Sequence, residues 1–339
     1  MKAVLFQKPW EAVCIDVPKP QPGPGQALIR IVSAGICGSD IGAYRGTNAL
    51  VSYPRIIGHE LAGIVEQIPA DNAAGIQPGD RVVVNPYVYC GHCYPCGLGR
   101  TNCCTDLKCL GVHIDGGMAE YFCHPADMLI PLPANVPWDI APIAEPLVIA
   151  LHGLHRGELK AGEHAAIIGA GPIGLLVAMA AKALGAVPIL LDVVDARLEF
   201  ARSCGIPFTI NTMQEDAAAK VAEITGGRMA ELVCECSGAN AAIRSTLELV
   251  SSAGRITLTG WPAGETPLPT ATITRKEVDI RGARTAMTRE FADSLEMIAN
   301  GSVDVRKILT KTISIDDAPA TIADIEKNPG NYMKVIVLF

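Results

Sequence analysis

The stretch HAAIIGAGPIG (164–174) does most to limit the folds open to this chain. It joins a short apolar run to Gly169-Ala-Gly171-Pro172-Ile173-Gly174 and continues straight into the Ala-rich segment LLVAMAAKALG. A bare G-x-G-x-x-G arises often by chance. With a strand before it and a helix after it, it predicts a turn whose backbone approaches a pyrophosphate seated on the helix N-terminus. The next apolar run, VPILLD, ends in Asp192, eighteen residues past Gly174. A carboxylate there accepts hydrogen bonds from an adenosine ribose and repels a 2′-phosphate. Val193 and Val194 follow it rather than Ser or Arg, so NAD is expected over NADP. Arg197 is counted with the same site.

From about residue 161 the same rhythm persists, with DARLEFARSCG, ELVCECSG, NAAIRSTLELV and GRITLTGW alternating helix-like and strand-like texture. Such alternation predicts a parallel sheet covered on both faces. Pro188 lies inside one predicted strand, where it must sit near the start or lose a ladder bond. Residues 1 to about 147 read differently. Runs such as ALIRIVSAGI and DRVVVNPYVY, bounded by Pro, Gly and Asp, predict an all-β domain with irregular loops. Near 281 the texture turns again and YMKVIVLF reads as a strand. With 339 residues, 49% of them hydrophobic, the chain can bury the cores of about two domains.

A net charge of −7, with no basic run, argues against a nucleic-acid surface. MKAVLFQKPW is too short in apolar residues for a signal peptide and reads as a first strand. LLVAMAAKALG, broken by Lys182, falls short of membrane-spanning length. A cytoplasmic protein with no membrane partner is expected, and there thiols stay reduced.

That bears on CGHCYPCGLGRTNCC (90–104), which packs five cysteines into fifteen positions. Cys90, Cys93 and Cys96 are separated by two residues each, and Gly91, Pro95 and Gly97 let the backbone curl. Their three thiolates can converge on one tetrahedral ion, with a fourth from Cys103 or Cys104. Neighbouring side chains on extended backbone point opposite ways, so only one of these reaches, and spacing leaves both open. A redox pair needs one exposed Cys-x-x-Cys and explains neither the third nor the fourth cysteine. The number and spacing of sulfurs point to a zinc ion closed by four thiolates, hence structural.

Cys37 in GICGSD (35–40) and His59-Glu60 in YPRIIGHELAG (53–63) are weak signals alone. Cys-Gly-Ser-Asp, then Gly-His-Glu, then the four-cysteine loop, then the dinucleotide turn is another matter. In that order, over the whole chain, they resemble the zinc-containing medium-chain dehydrogenase/reductase family. The resemblance implies an α/β plus β molecule. Its parts are a GroES-like β-barrel catalytic domain (1–148 and 283–339) and a Rossmann doubly wound NAD-binding domain (149–282). Two zincs per chain, one catalytic and one structural, chemistry in the cleft, and a homodimer or homotetramer are also implied. The family leaves seven residues between the third and fourth cysteines, which selects Cys104.

The same resemblance places the catalytic zinc on Cys37 and His59. Alcohol dehydrogenases of the family supply a cysteine as third ligand. In APIAEPLVIALHG that place is held by Glu145, as in the polyol branch. Glu60 is its rival, either behind the ligands or exchanging with water. Ser39 matches the family's proton-relay hydroxyl, with a helix N-cap as its structural alternative. YPRIIGHE, GRTNCC and GVHIDGGMAEY are most similar to the sugar-acid and polyol dehydrogenases. That branch implies oxidation of a secondary alcohol to a ketone, with His113 and Arg284 (in RGARTAM) as polar candidates for a small-molecule substrate. An amino-alcohol or diol dehydrogenase is the enzymic alternative. A non-enzymatic relative is the other, and intact Cys37, Ser39, His59 and Asp192 weigh against it.

Overall fold

Aliphatic and small residues in QALIRIVSAGI build the longest strand of the molecule, Gln26–Ile36. Ala27, Leu28, Ile29, Ile31, Ala34 and Ile36 are all buried along it. Glu60–Gln67, Lys334–Leu338 and Tyr121–Pro125 pair with it antiparallel. Arg81–Val84, Leu129–Pro131 and Leu309–Ser314 complete a seven-stranded sheet. Lys2–Lys8, Glu11–Asp16 and Arg55–Ile56 form a smaller one. The computed structural model describes all 339 residues, which separate into two compact units, Met1–Glu145 with Met287–Phe339, and Pro146–Ala286. Both sheets belong to the first unit.

Register decides what meets at the strand ends. Gly35 stands opposite Glu60 on one neighbour and opposite Ile336 on the other. The flanking residues Cys37, His59 and Lys334 therefore emerge at one end of three adjacent strands. Gly35 has to be glycine, because a Cβ there would lie 1.8 Å from Glu60 Oε2.

His124, on the strand Tyr121–Pro125, is buried and donates from Nε2 to the Asn85 carbonyl at 2.8 Å. Burial lowers its pKa from 6.5 to about 4. Between these values the unfolded chain binds a proton that the native state refuses, so stability rises with pH there. The contribution is complete above the unfolded pKa, and roughly 3 kcal/mol is lost as pH falls through this window. His124→Gln should flatten that part of the profile. Urea melts near neutrality and near the lower limit measure it; an unchanged acid loss in the variant would assign the effect to other groups.

In the second unit six parallel strands lie in the order Phe208–Asn211, Val187–Asp192, His164–Ile168, Ala230–Glu235, Val250–Leu258, Asp279–Gly282. This is the doubly wound order, reversing direction beside His164–Ile168. Ala166, Ile167, Ile189, Leu190, Leu191, Leu232 and Val233 are buried, as a sheet covered on both faces requires. Pro188 is second in its strand, opposite Ala165, so little of the ladder is lost. The α/β plus β fold class expected from the two textures is the one observed. No helix is long and apolar enough to cross a membrane.

Candidate metal centres and cofactor turn

The cysteine loop curls so that the sulfurs of Cys90, Cys93, Cys96 and Cys104 all lie within 4.8 Å of one another. Cys93 is the N-cap of the short helix Tyr94–Gly97, and Cys104 follows the turn Thr101–Cys103. Cys93 Sγ is 3.4 Å from Cys96 Sγ and 3.8 Å from Cys104 Sγ. Zinc–sulfur bonds of about 2.3 Å in a tetrahedron set sulfurs about 3.8 Å apart, so these residues fit a zinc ion. Cys104 Sγ also accepts the N–H groups of Cys90 and Asp106, each at 3.3 Å. Backbone N–H donors of Thr105 and Cys96 bring the Cys93 thiol down to about 5. Such donors favour thiolate. Cys103, half-buried, stands outside the set.

Cys37 directly follows the strand Gln26–Ile36 and is the N-cap of the helix Gly38–Arg45. His59 and Glu60 arrive at the start of the neighbouring strand, and the ligand atoms of the three lie within 4.8 Å of one another. Asp40 Oδ2 accepts the Cys37 N–H at 2.9 Å, and Asp40 Oδ1 stands 3.7 Å from His59 Nδ1. The N-cap place suggested for Ser39 is taken by Cys37, and Ser39 Oγ lies 3.4 Å from His59 Nε2. Lys334 Nζ engages both oxygens of the buried Glu60, at 2.6 and 2.8 Å, and donates to the Ile36 carbonyl at 3.2 Å. Glu145, in the first turn of the helix Ala144–Arg156, is not in the three-residue set. Its Oε1 accepts the Tyr87 hydroxyl.

Asp40, Glu60 and Glu145 are all buried here, against one permanent cation, Lys334. Burial opposes a charged His59, yet Asp40 and Cys37 outweigh it and hold the imidazole well above its usual pKa. Burial raises Asp40 and pushes Glu145 up to about 7. Tyr87 is raised by burial and by Glu145, so its phenol stays protonated and donates. Three buried carboxylates and the Cys37 sulfur against one ammonium mark a region short of positive charge. A divalent cation relieves that shortage, and the donor set of sulfur, imidazole and carboxylate suits zinc.

In the second unit Gly171 precedes the helix Pro172–Ala183, and Pro172 and Ile173 form its first turn. Pro at the first helical position gives up an N–H that had no partner within the helix. A Cβ on Gly174 would lie 1.7 Å from the Gly169 carbonyl oxygen, so the turn closes only around glycine. Asp192 ends its strand with Oδ1 accepting Val193 and Val194 N–H at 2.8 and 2.9 Å. Its Oδ2 accepts the Ala170 N–H at 2.6 Å, which ties it to the turn. A carboxylate offers about four lone-pair sites, so capacity for a ligand remains. Arg197 Nη1 is 3.8 Å from Asp192 Oδ2.

His113 Nδ1 accepts the Cys109 N–H at 3.0 Å, which sets the proton of the neutral ring on Nε2. Arg284 is exposed, just after the strand Asp279–Gly282. Neither belongs to a metal-ligand set. Sequence reading missed Asp40, Tyr87 and Lys334. The charged residue inside YMKVIVLF was a readable trace of Lys334, and Asp40 stood in the quoted GICGSD; Tyr87 stood in the quoted DRVVVNPYVY with nothing to mark its role.

Residues 23–134 match the alcohol dehydrogenase GroES-like domain family, and residues 172–300 the zinc-binding dehydrogenase family. Fold and matched domains thus define a zinc-binding dehydrogenase. The chain is 52% identical to an uncharacterized zinc-type alcohol dehydrogenase-like protein of Haemophilus influenzae, over 100% of this chain and 99% of that one. It is 35% identical to the L-galactonate-5-dehydrogenase of Escherichia coli K12, over 91% of each. An alcohol dehydrogenase of E. coli CFT073 solved with NADH superposes with a TM-score of 0.93 at 32% identity, covering 100% of this chain and 99% of that one. The protein belongs to the zinc-type alcohol dehydrogenase family, an oxidoreductase family, as its motifs had suggested.

Proposed function

We propose that this chain uses NAD to oxidise a secondary alcohol of a sugar acid or polyol to the ketone. A catalytic zinc would be held by Cys37, His59 and Glu145, and a structural zinc by Cys90, Cys93, Cys96 and Cys104. The observation that carries this reading is the buried, cation-poor meeting of Cys37, His59 and acidic residues at three strand ends. A zinc ion there would supply Lewis acidity, lowering the pKa of a bound alcohol.

The chain's own residues do the rest. Asp40 Oδ1, 3.7 Å from Nδ1, favours the His59 proton on that side by its charge and leaves Nε2 as the ligating lone pair. Ser39 Oγ, near that nitrogen, accepts the alcohol proton and passes it outward. Glu60 is a weaker third ligand than Glu145 because Lys334 engages both its oxygens. Glu145 gives one oxygen to a neutral phenol and keeps the other. Thiolate, carboxylate and neutral imidazole together balance the ion's charge. Gly169, Gly171 and Gly174 admit the pyrophosphate, and Asp192 holds the ribose.

Arg284 would grip a substrate carboxylate with its planar fork, and His113 Nε2–H would donate to a hydroxyl. The identity to an L-galactonate-5-dehydrogenase supports an acid substrate. The test is a panel of sugar acids and matching polyols with NAD and NADP, followed by nicotinamide absorbance. Arg284→Ala should lower kcat/KM about 10- to 150-fold on the acid and little on the polyol. Equal losses on both would remove Arg284 from the substrate site, and a wild-type preference for NADP would reject the cofactor reading.

A further inference from the structure

Two strands beside the glycine-rich turn, Ala230–Glu235 and Val250–Leu258, lead into Cys236-Ser237-Gly238 and Thr259-Gly260-Trp261. Glu235, fully buried, ties these ends together. Its Oε1 accepts the Ser237 N–H at 2.8 Å, the Ser237 hydroxyl at 2.6 Å and the Gly238 N–H at 3.0 Å. Its carbonyl accepts the N–H groups of Thr259 and Gly260, at 2.9 and 3.1 Å. The backbones then touch: a Cβ on Gly260 would lie 2.2 Å from Gly238 N, and one on Gly238 2.7 Å from Trp261 O. Ser237 packs in turn against Gly169, the first glycine of the cofactor turn.

The backbone of Trp261 is thus held, while its indole is left in water at 78% exposure. The other two tryptophans are engaged. Trp10 meets Tyr44 edge-on, and Arg81 lies over the Trp138 ring. An indole left unstacked on a held backbone offers a large aromatic face for a ligand.

Topology identifies what reaches it. Asp192 marks the adenosine half of a dinucleotide on one side of the glycine-rich turn. A dinucleotide on a doubly wound sheet crosses the point where strand order reverses. The nicotinamide half therefore lies over the ends of Ala230–Glu235 and Val250–Leu258, where Trp261 stands. We propose that Trp261 is a cofactor-recognition residue whose indole packs on the nicotinamide and binds the oxidised ring in preference to the reduced one. The oxidised ring is a pyridinium cation, which the electron-rich indole face attracts; the neutral dihydropyridine gains only packing. This inference rests on the dinucleotide reading of the second unit, and the experiment separates the two.

The zinc-loaded full chain and its Trp261→Leu and Trp261→Phe variants are titrated with NAD⁺, NADH and ADP-ribose by calorimetry. Trp261→Leu should weaken NAD⁺ about 2- to 30-fold, weaken NADH less, and leave ADP-ribose, which lacks the nicotinamide, unchanged. Trp261→Phe keeps a π face and should recover most of the NAD⁺ affinity. Equal losses for NAD⁺ and NADH, a parallel loss of ADP-ribose, or no change at all would each overturn the assignment. A wild-type protein that binds neither NAD⁺ nor ADP-ribose would overturn the dinucleotide reading itself, and this inference with it.

Discussion

Cys104→Ser is expected to release one zinc per chain and lower Tm by roughly 8–16 °C, a loss on the order of 4 kcal/mol, whereas Cys103→Ser leaves both unchanged. The two cysteines are adjacent, but only the Cys104 sulfur lies with those of Cys90, Cys93 and Cys96. Three thiolates with one serine hydroxyl bind zinc poorly, and the metal's binding free energy is part of the folding free energy of the loop. Elemental analysis with calorimetry checks this, and a chelator should lower the wild-type Tm at least as far as Cys104→Ser does. The opposite pattern between the two serine variants would move the fourth ligand to Cys103. A single zinc in the wild-type chain would reject the second site.

Lys334→Met should destabilise the protein by about 3–5 kcal/mol, the cost of leaving a buried charge without its partner. Glu60 is fully buried and Lys334 nearly so, with both carboxylate oxygens on one ammonium. Burial works against the Lys334 charge, yet Glu60, with Cys37 and Glu145 nearby, outweighs it and raises the ammonium's pKa, so the lysine stays charged at neutral pH. Lys334→Met combined with Glu60→Gln removes both charges and should recover most of the loss. Denaturant melts of the four proteins close the cycle. Single losses that simply add would show that the charges are not coupled, and would withdraw the reason for preferring Glu145 as a ligand.

Legibility followed sequence distance. The parallel sheet, the glycine turn and Asp192 are coded locally, by a strand, a turn and a helix within about thirty residues. The four-cysteine loop is as local, although choosing Cys104 over Cys103 needed the family's spacing or the folded loop. Cys37, His59 and Lys334 meet only because Gly35 faces Glu60 on one strand and Ile336 on another, and no periodicity states that register. Tyr87 was invisible for the same reason: its hydroxyl matters only once Glu145 is beside it. The proximity of Glu60 to Cys37 and His59, with Glu145 outside that set, is likewise a property of the folded sheet.

The pairing of Lys334 with Glu60 also has a temporal side, since the two residues are 274 positions apart. At the usual pace of translation, about 5–20 residues per second, the ribosome needs roughly 15–55 seconds to travel from one codon to the other. The second unit, contiguous from 146 to 286, has all its strands by residue 282 and can be finished in that interval. The first unit cannot. Throughout that time the nascent chain presents Cys37, His59 and Glu60 without the ammonium that later occupies Glu60. Glu60 therefore gains its ammonium only at the last stage of synthesis, when the final strand joins the sheet.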